Sequence, residues 1–180
     1  MATHPTAVVF FNGPSVTQFY HIKFPSSWIT VGCNYISRHR QVDHVCAFDR
    51  QVRDDITTQP QVGYWTRRGF GDTVWQVAQT PHRVYDSGLL AISIARHLGC
   101  HRIYLLGFDW GISNRSQYDD LYTWRVGHPN KTSPDKWASF REMARVSELW
   151  VVHQDHSRDI APAQWLVPGD FVGQCRRARL

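Results

Sequence analysis

The sequence predicts an α/β fold of three layers with a mainly parallel sheet. Three observations predict it. Short apolar runs bounded by turn residues recur along the chain. Several of these runs lack the polar alternation of a sheet with one wet face, as expected of strands covered on both sides. Helical apolar patterns fall between them, and alternation of strands with helices is the pattern of a parallel sheet. The Rossmann-like architecture follows. The 180 residues suit one domain, so 1–180 is read as a single unit.

The expected strands are Ala7–Phe11, Trp28–Cys33, Val42–Phe48, Thr73–Ala78, Ile103–Gly107 and Leu149–His153, each about the length of a buried strand. Between the fourth and fifth lies Ser87–Leu98, where Leu89, Leu90, Ile92, Ile94, Ala95 and Leu98 make a helical apolar face and Gly99 supplies the stop. A second helix is expected over Pro134–Ser147, with Ser133 as N-cap, Pro134 at the first position and Trp137, Phe140, Met143 and Ala144 as its stripe. The segments Arg50–Gly71 and Gly111–Gly127 are polar and weakly patterned and are expected to be loops or lids, the polar lid at about 111–127.

Composition narrows the function classes. Apolar residues make up 42 % and aromatics 13 %, including eight tryptophans, which supports a packed core rather than wholesale disorder. No apolar run approaches the roughly 20 residues that cross a bilayer, and the apolar stretch near the N-terminus has no basic segment before it. A cytoplasmic location without a transmembrane segment is the expectation. Cys33, Cys46, Cys100 and Cys175 are scattered with no CxxC pair, which indicates neither a zinc knuckle nor a disulfide framework. The net charge is +5, and 17 of the 20 cations are arginine. Arginine is the better fork for phosphate and carboxylate, so an anionic partner fits this charge, as does codon bias.

In a parallel α/β sheet, ligands bind beyond the carboxyl ends of the strands. Five such ends here carry small polar residues. The first strand is followed by Asn12-Gly13-Pro14-Ser15, a tight turn whose amides suit a phosphate. Asn34 follows the second strand and Asp49 the third. Ser87-Gly88 opens the apolar helix at its positive dipole end, and the strand Ile103–Gly107 runs into Asp109. Taken singly, each is a turn or an N-cap; their recurrence is the signal.

Absent motifs constrain the chemistry. The sequence contains no GxxxxGK[ST], no GxGxxG after a strand, no GxSxG and no HExxH. It has no Asp-x-Asp to hold a metal on a nucleotide diphosphate. The pairs His97/His101 and His153/His156 have helical spacing but no accompanying carboxylate or cysteine pattern, so no metal site and no cofactor are expected. Arg68-Gly69-Phe70-Gly71 begins like the aromatic strand of an RNA-recognition module, but Asp72 breaks it. The tail Arg176-Arg177-Ala178-Arg179 is expected to be a solvated end or loose anion contact, with no specific nucleic acid as partner.

The order of these pieces resembles the bacterial family 42 sialyltransferases across roughly residues 7–155. It comprises Asn-Gly-Pro-Ser after the first strand, Cys-Asn after the second, Ser-Gly at the helix start, a strand ending Gly-x-Asp, a polar lid, then Val126-Gly127-His128-Pro129-Asn130-Lys131-Thr132 before a helix and a last strand. The opening is shared with pterin diphosphokinases of archaeal type. The resemblance implies a nucleotide-binding, metal-independent glycosyltransferase using a CMP-type sugar donor, an unidentified acceptor and His128 as general base. It assigns Asn12, Gly13 and Ser15 to the phosphate side and Asn34, Ser87 and Gly88 to the ribose, phosphate or base. Relatives in this family often form tetramers, so a homo-oligomer is a further expectation.

The chain departs from that pattern at named positions. The two lid tyrosines of the family fall on Trp110 and Ser116, leaving Tyr118 and Tyr122 as phenols out of register. Asp49 replaces an asparagine, and the arginine expected three residues before Ser87 is displaced to Arg83. Three further readings stay open: a nucleotide-binding protein without turnover, a pterin diphosphokinase requiring magnesium, and a basic nucleic-acid-associated protein.

Overall fold

Val8 and Val9 are both fully buried, yet they belong to two separate cores. Successive side chains of a strand point to opposite faces, and both faces of this sheet are covered. The computed structural model describes residues 5–78, 83–110 and 133–179. The described strands are β1 (Thr6–Phe10), β2 (Ile29–Cys33), β3 (His44–Ala47), β4 (Gly63–Thr66), β5 (Trp75–Val77), β6 (Arg102–Leu106), β7 (Glu148–Val152) and β8 (Gln164–Leu166). They form one sheet in the order β5-β4-β3-β2-β1-β6-β7-β8. Every pairing is parallel. The expected α/β fold with a parallel sheet is what the chain adopts.

One face carries Ala7, Val9, Phe11, Ile103 and Leu105 against α2 (Ser87–His97) and α3 (Pro134–Arg145). The sequence calls α2 clearly because nearly its whole length is buried, and Asp86 caps it by accepting from the Leu89 amide at 3.0 Å. Ser133 caps α3 in the same way through the Lys136 amide at 3.3 Å. On the other face, Val8, Phe10, Tyr104 and Leu106 pack against two 3-10 turns (Pro14–Phe19 and Asn34–Arg38), α1 (Arg50–Asp55) and α4 (Pro168–Arg177).

The structure differs from the sequence reading in two places. Arg50–Gly71, expected to be a loop, contains α1 and β4. α1 is a six-residue helix that buries one side chain, Val52, and β4 is four residues whose Tyr64 and Trp65 are buried, so neither is long enough to show a period. The C-terminal segment adds β8 and α4, whose last turn contains Arg176 and Arg177, and residues 176–179 are exposed. The expected lid at 111–127 lies outside the described residues. Among the described residues, no helix is long and apolar enough to cross a membrane.

Candidate functional site at the carboxyl rim of the sheet

β1 and β6 are neighbours, but the chain leaves β1 toward β2 on one side and leaves β6 toward β7 on the other. This is the switch point at which parallel sheets open a crevice. The two loops that leave it are stitched together. The Phe11 amide donates to the Leu106 carbonyl at 2.8 Å and the Gly13 amide to Gly107 at 3.0 Å. Gly107 has a φ of 74°, a left-handed conformation that favours glycine. Gly13 is required sterically, because a Cβ there would collide with the Asp109 carboxyl and the Gly107 carbonyl.

Asp109, only 5 % exposed, dominates this crevice. It accepts the Ser15 amide at 2.9 Å and the Ser15 hydroxyl as well. His153, at the end of β7, brings Nε2 to 3.5 Å from the same carboxylate. The Asp155 amide donates to His153 Nδ1 at 2.9 Å, and the Asp155 carbonyl lies 3.2 Å from the same nitrogen, so the loop after β7 holds the ring against Asp109. Carboxylate, hydroxyl, amide and imidazole thus form one closed cluster from β1, β6 and β7. By sequence alone Asp109 is a strand-end residue and not a site residue, and His153 is half of a histidine pair at helical spacing. Among the described residues no cluster of three metal-ligating side chains occurs.

A second cluster joins the ends of β2 and β3 to the start of α2. The Ser87 hydroxyl donates to Asn34 Oδ1 at 2.7 Å and accepts the Phe48 amide at 3.1 Å. Asn34 holds a φ of 54°, which asparagine tolerates better than most residues and which aims its side chain across the rim. Cys33 and Cys46, paired in register on β2 and β3, both donate to the Ser87 carbonyl at 3.3 Å. Burial, with the neighbouring Cys46 and Asp86, pushes the Cys33 thiol well above its ordinary value. It is therefore a neutral donor rather than a nucleophile. Gly88 is required because a Cβ there would enter the Phe11 ring, and the same ring packs edge-on against Phe108 and Trp110. Phe11 thereby connects the two clusters.

The remaining candidates fall on the same edge. Asn12 is half-buried between Phe11 and Gly13, and Asp49 is half-buried at the start of α1. Arg83 is exposed three residues before the Asp86 cap. Two cations missed in the sequence also belong here. Lys136 pairs with Asp86 at 3.1 Å, and Arg67 lies over the Phe48 ring at 4.9 Å. Neither has a local signature, since each reaches the rim from an element read for its apolar residues or as a loop. His128, Tyr118 and Tyr122 lie outside the described residues. Trp110 packs against Phe108, Trp137 and Phe140 and belongs to an aromatic wall beside the crevice.

No protein-family model matches this chain, and neither does any curated protein or solved structure. The case for function therefore rests on the chain's own residues. The rim gathers β1, β2, β3, β6 and α2 side by side, with adjacent strands about 4.8 Å apart. Amide, carboxamide, hydroxyl and carboxylate groups thus line up along adjacent strand ends.

Proposed function

We propose that the chain is a glycosyltransferase-like enzyme that takes a sugar from a CMP-type nucleotide donor, without a metal, at the carboxyl rim of its sheet. The observation that carries this reading is the 2.7 Å bond between Asn34 and Ser87, which are 53 positions apart. The resemblance orders these two residues along the chain, and they meet at the ends of β2 and β3, joined to the switch-point crevice through the Phe11 ring. In the proposed reaction the acceptor hydroxyl gives its proton to the imidazole of His128 and its oxygen forms a bond to the anomeric carbon. The bond from that carbon to the donor phosphate breaks, and CMP departs with inversion. Positioned proton transfer of this kind contributes about 10²–10⁴-fold. Asp49, a carboxylate where the family has an amide, suits ribose hydroxyls or a base amine, and Arg83, Tyr118 and Tyr122 are the groups for the leaving phosphate. A cytoplasmic location belongs to the same reading.

The second reading, a nucleotide-binding protein without turnover, is favoured by Trp110, which brings no phenol to stabilise a leaving phosphate. In both readings the phosphate takes the Ser15 amide and hydroxyl from Asp109, which holds them in the free chain.

Thermal-shift measurements with CMP, CDP, UDP, GDP and ATP, each with and without magnesium, test both readings. A ligand at about 100 times its dissociation constant adds roughly 2.7 kcal/mol. Metal-independent preference for CMP is expected. Release of CMP from a CMP-sugar, lost in His128→Ala while the CMP shift survives, selects the enzyme. A CMP shift with no turnover in the unaltered chain selects the binding protein. A response to ATP with magnesium alone overturns both in favour of diphosphokinase chemistry.

A further inference from the structure

The opposite edge of the sheet, at the amino ends of the strands, carries a groove that the proposed reaction does not use. It has a volume of about 500 Å³, within the range of sites that bury small organic groups. Its floor is Tyr104 and Trp150, register partners on β6 and β7, and one wall is Trp28, stacked on Tyr104 at 5.3 Å and 17°. The aromatic groups are held in place. The Tyr104 hydroxyl donates to Gln174 of α4, and the Trp150 indole donates to Glu148 at 2.9 Å. Trp28 and Trp150 remain half-exposed.

The groove is lined by two arginines and one carboxylate, and the carboxylate, Glu148, pairs with Arg102 at 2.9 Å, which leaves the positive charge of Arg177. Although burial pushes the Glu148 carboxyl up, the hydrogen bonds from Arg102 and Trp150 hold it below its ordinary value. Arg177 lines the groove from the last turn of α4. On the opposite stripe of that same helix end lies a smaller cavity of about 220 Å³, lined by Lys23, Arg176 and Arg179 among others. Lys23, Arg176 and Arg177 make no ion pair among the described residues. A single phosphate is satisfied by one or two cations. Four cations distributed around a helix end, beside a groove of aromatic faces, fit a strand with several phosphates and at least one unstacked base.

We infer that this aromatic and basic groove binds single-stranded nucleic acid without sequence preference. A base stacks in the groove lined by Trp28 and Trp150, and the backbone crosses the end of α4 over Arg177, Arg176 and Lys23. Stacking accepts any base because every base has a π-face, and the cations read only the phosphates. This inference is independent of the proposed transferase site, which lies at the other edge of the sheet.

Fluorescence anisotropy of the full chain with three labelled probes tests it: single-stranded dT20, an abasic oligomer of the same length, and the dT20 duplex with its complement. Tightest binding to dT20 is expected, with a log–log salt slope of about −0.7 for each phosphate contacted. Trp28→Ala is expected to weaken dT20 by roughly 5- to 150-fold and to leave the abasic oligomer unchanged. Trp28→Leu, which retains apolar volume over Tyr104, keeps the test valid should the alanine variant fail to fold, and the same loss is expected. Arg177→Gln, an exposed change, is expected to reduce the salt slope by about 0.7. Equal binding of the abasic oligomer or the duplex overturns the inference. So does the absence of dT20 binding at low salt, or tight CMP binding that Trp28→Leu abolishes with no response to the oligomer.

Discussion

The carboxylate of Asp109 binds both donors of Ser15, 94 residues earlier in the chain, and accepts its amide at 2.9 Å. This contact ties the turn after β1 to the end of β6 at the point where the sheet reverses its order. It also sets the electrostatic character of the crevice, because the Ser15 amide at the start of the 3-10 turn faces an internal anion.

Removing that anion should cost stability. Asp109→Ala leaves the Ser15 amide and hydroxyl without their acceptor in a part-buried site, with an expected loss of about 1–3 kcal/mol. Urea denaturation with an unchanged slope is the measurement, and Asp109→Asn, which retains an acceptor oxygen, should lose less. A loss below about 0.5 kcal/mol for the alanine variant would contradict the role assigned to this contact.

Two glycines separate steric need from backbone freedom. Gly13→Ala drives a methyl group into the Asp109 carboxyl and the Gly107 carbonyl, one of them backbone, so a loss of at least about 1–3 kcal/mol is expected. Gly169→Ala, in the first turn of α4, meets nothing within 4 Å and should be neutral or stabilising by up to about 1 kcal/mol. Equal thermal shifts in the two variants would refute the close approach at Gly13.

Ser87 acts as a pin between three elements. Ser87→Ala removes the donor to Asn34 and the acceptor for the Phe48 amide, both buried or part-buried, and should cost about 1–3 kcal/mol. Ser87→Thr retains the hydroxyl and should recover part of the loss. Hydrogen exchange at Phe48 provides a local readout, since its amide is expected to lose protection in the alanine variant alone.

His44 couples stability to pH. Burial lowers its pKa below the ordinary value, against a smaller upward pull from Asp43, and the Trp65 indole donates to its Nδ1 at 3.2 Å. That bond requires an unprotonated Nδ1. The unfolded chain takes up a proton near the ordinary value of about 6.5, whereas the folded chain does so only at lower pH. The contribution is therefore fully present above about 6.5 and is lost as pH falls through the folded value. His44→Asn, which retains an acceptor and does not titrate, should flatten the pH dependence of the melting temperature between neutral pH and mild acid. An unchanged profile would remove His44 as its source.

The layered architecture was legible because its signals are local. The apolar runs around Val8, Val31, Val45 and Leu105 and the buried face of Leu89–Ala95 are each contiguous in the chain. The caps at Asp86 and Ser133 are read from neighbours three residues away. β4 and α1 escaped notice because four buried or half-buried residues and one buried valine make no period. Asn12 and Asn34 are legible as polar residues at strand ends and Ser87-Gly88 as a helix start, and the parallel sheet brings them to one edge.

By itself, the sequence determined six of the eight described strands, the helices α2 and α3, and the polar residues that end them, because those choices depend on neighbours within a few positions. Only the tertiary structure decided that Asp109 takes the donors of Ser15, that Ser87 spends its hydroxyl on Asn34 and Phe48, and that Trp28 joins Tyr104 in a groove beside Arg177. Strand order and register bring together groups that are far apart in the chain, and whether a donor is open to a ligand depends on which distant acceptor reaches it first.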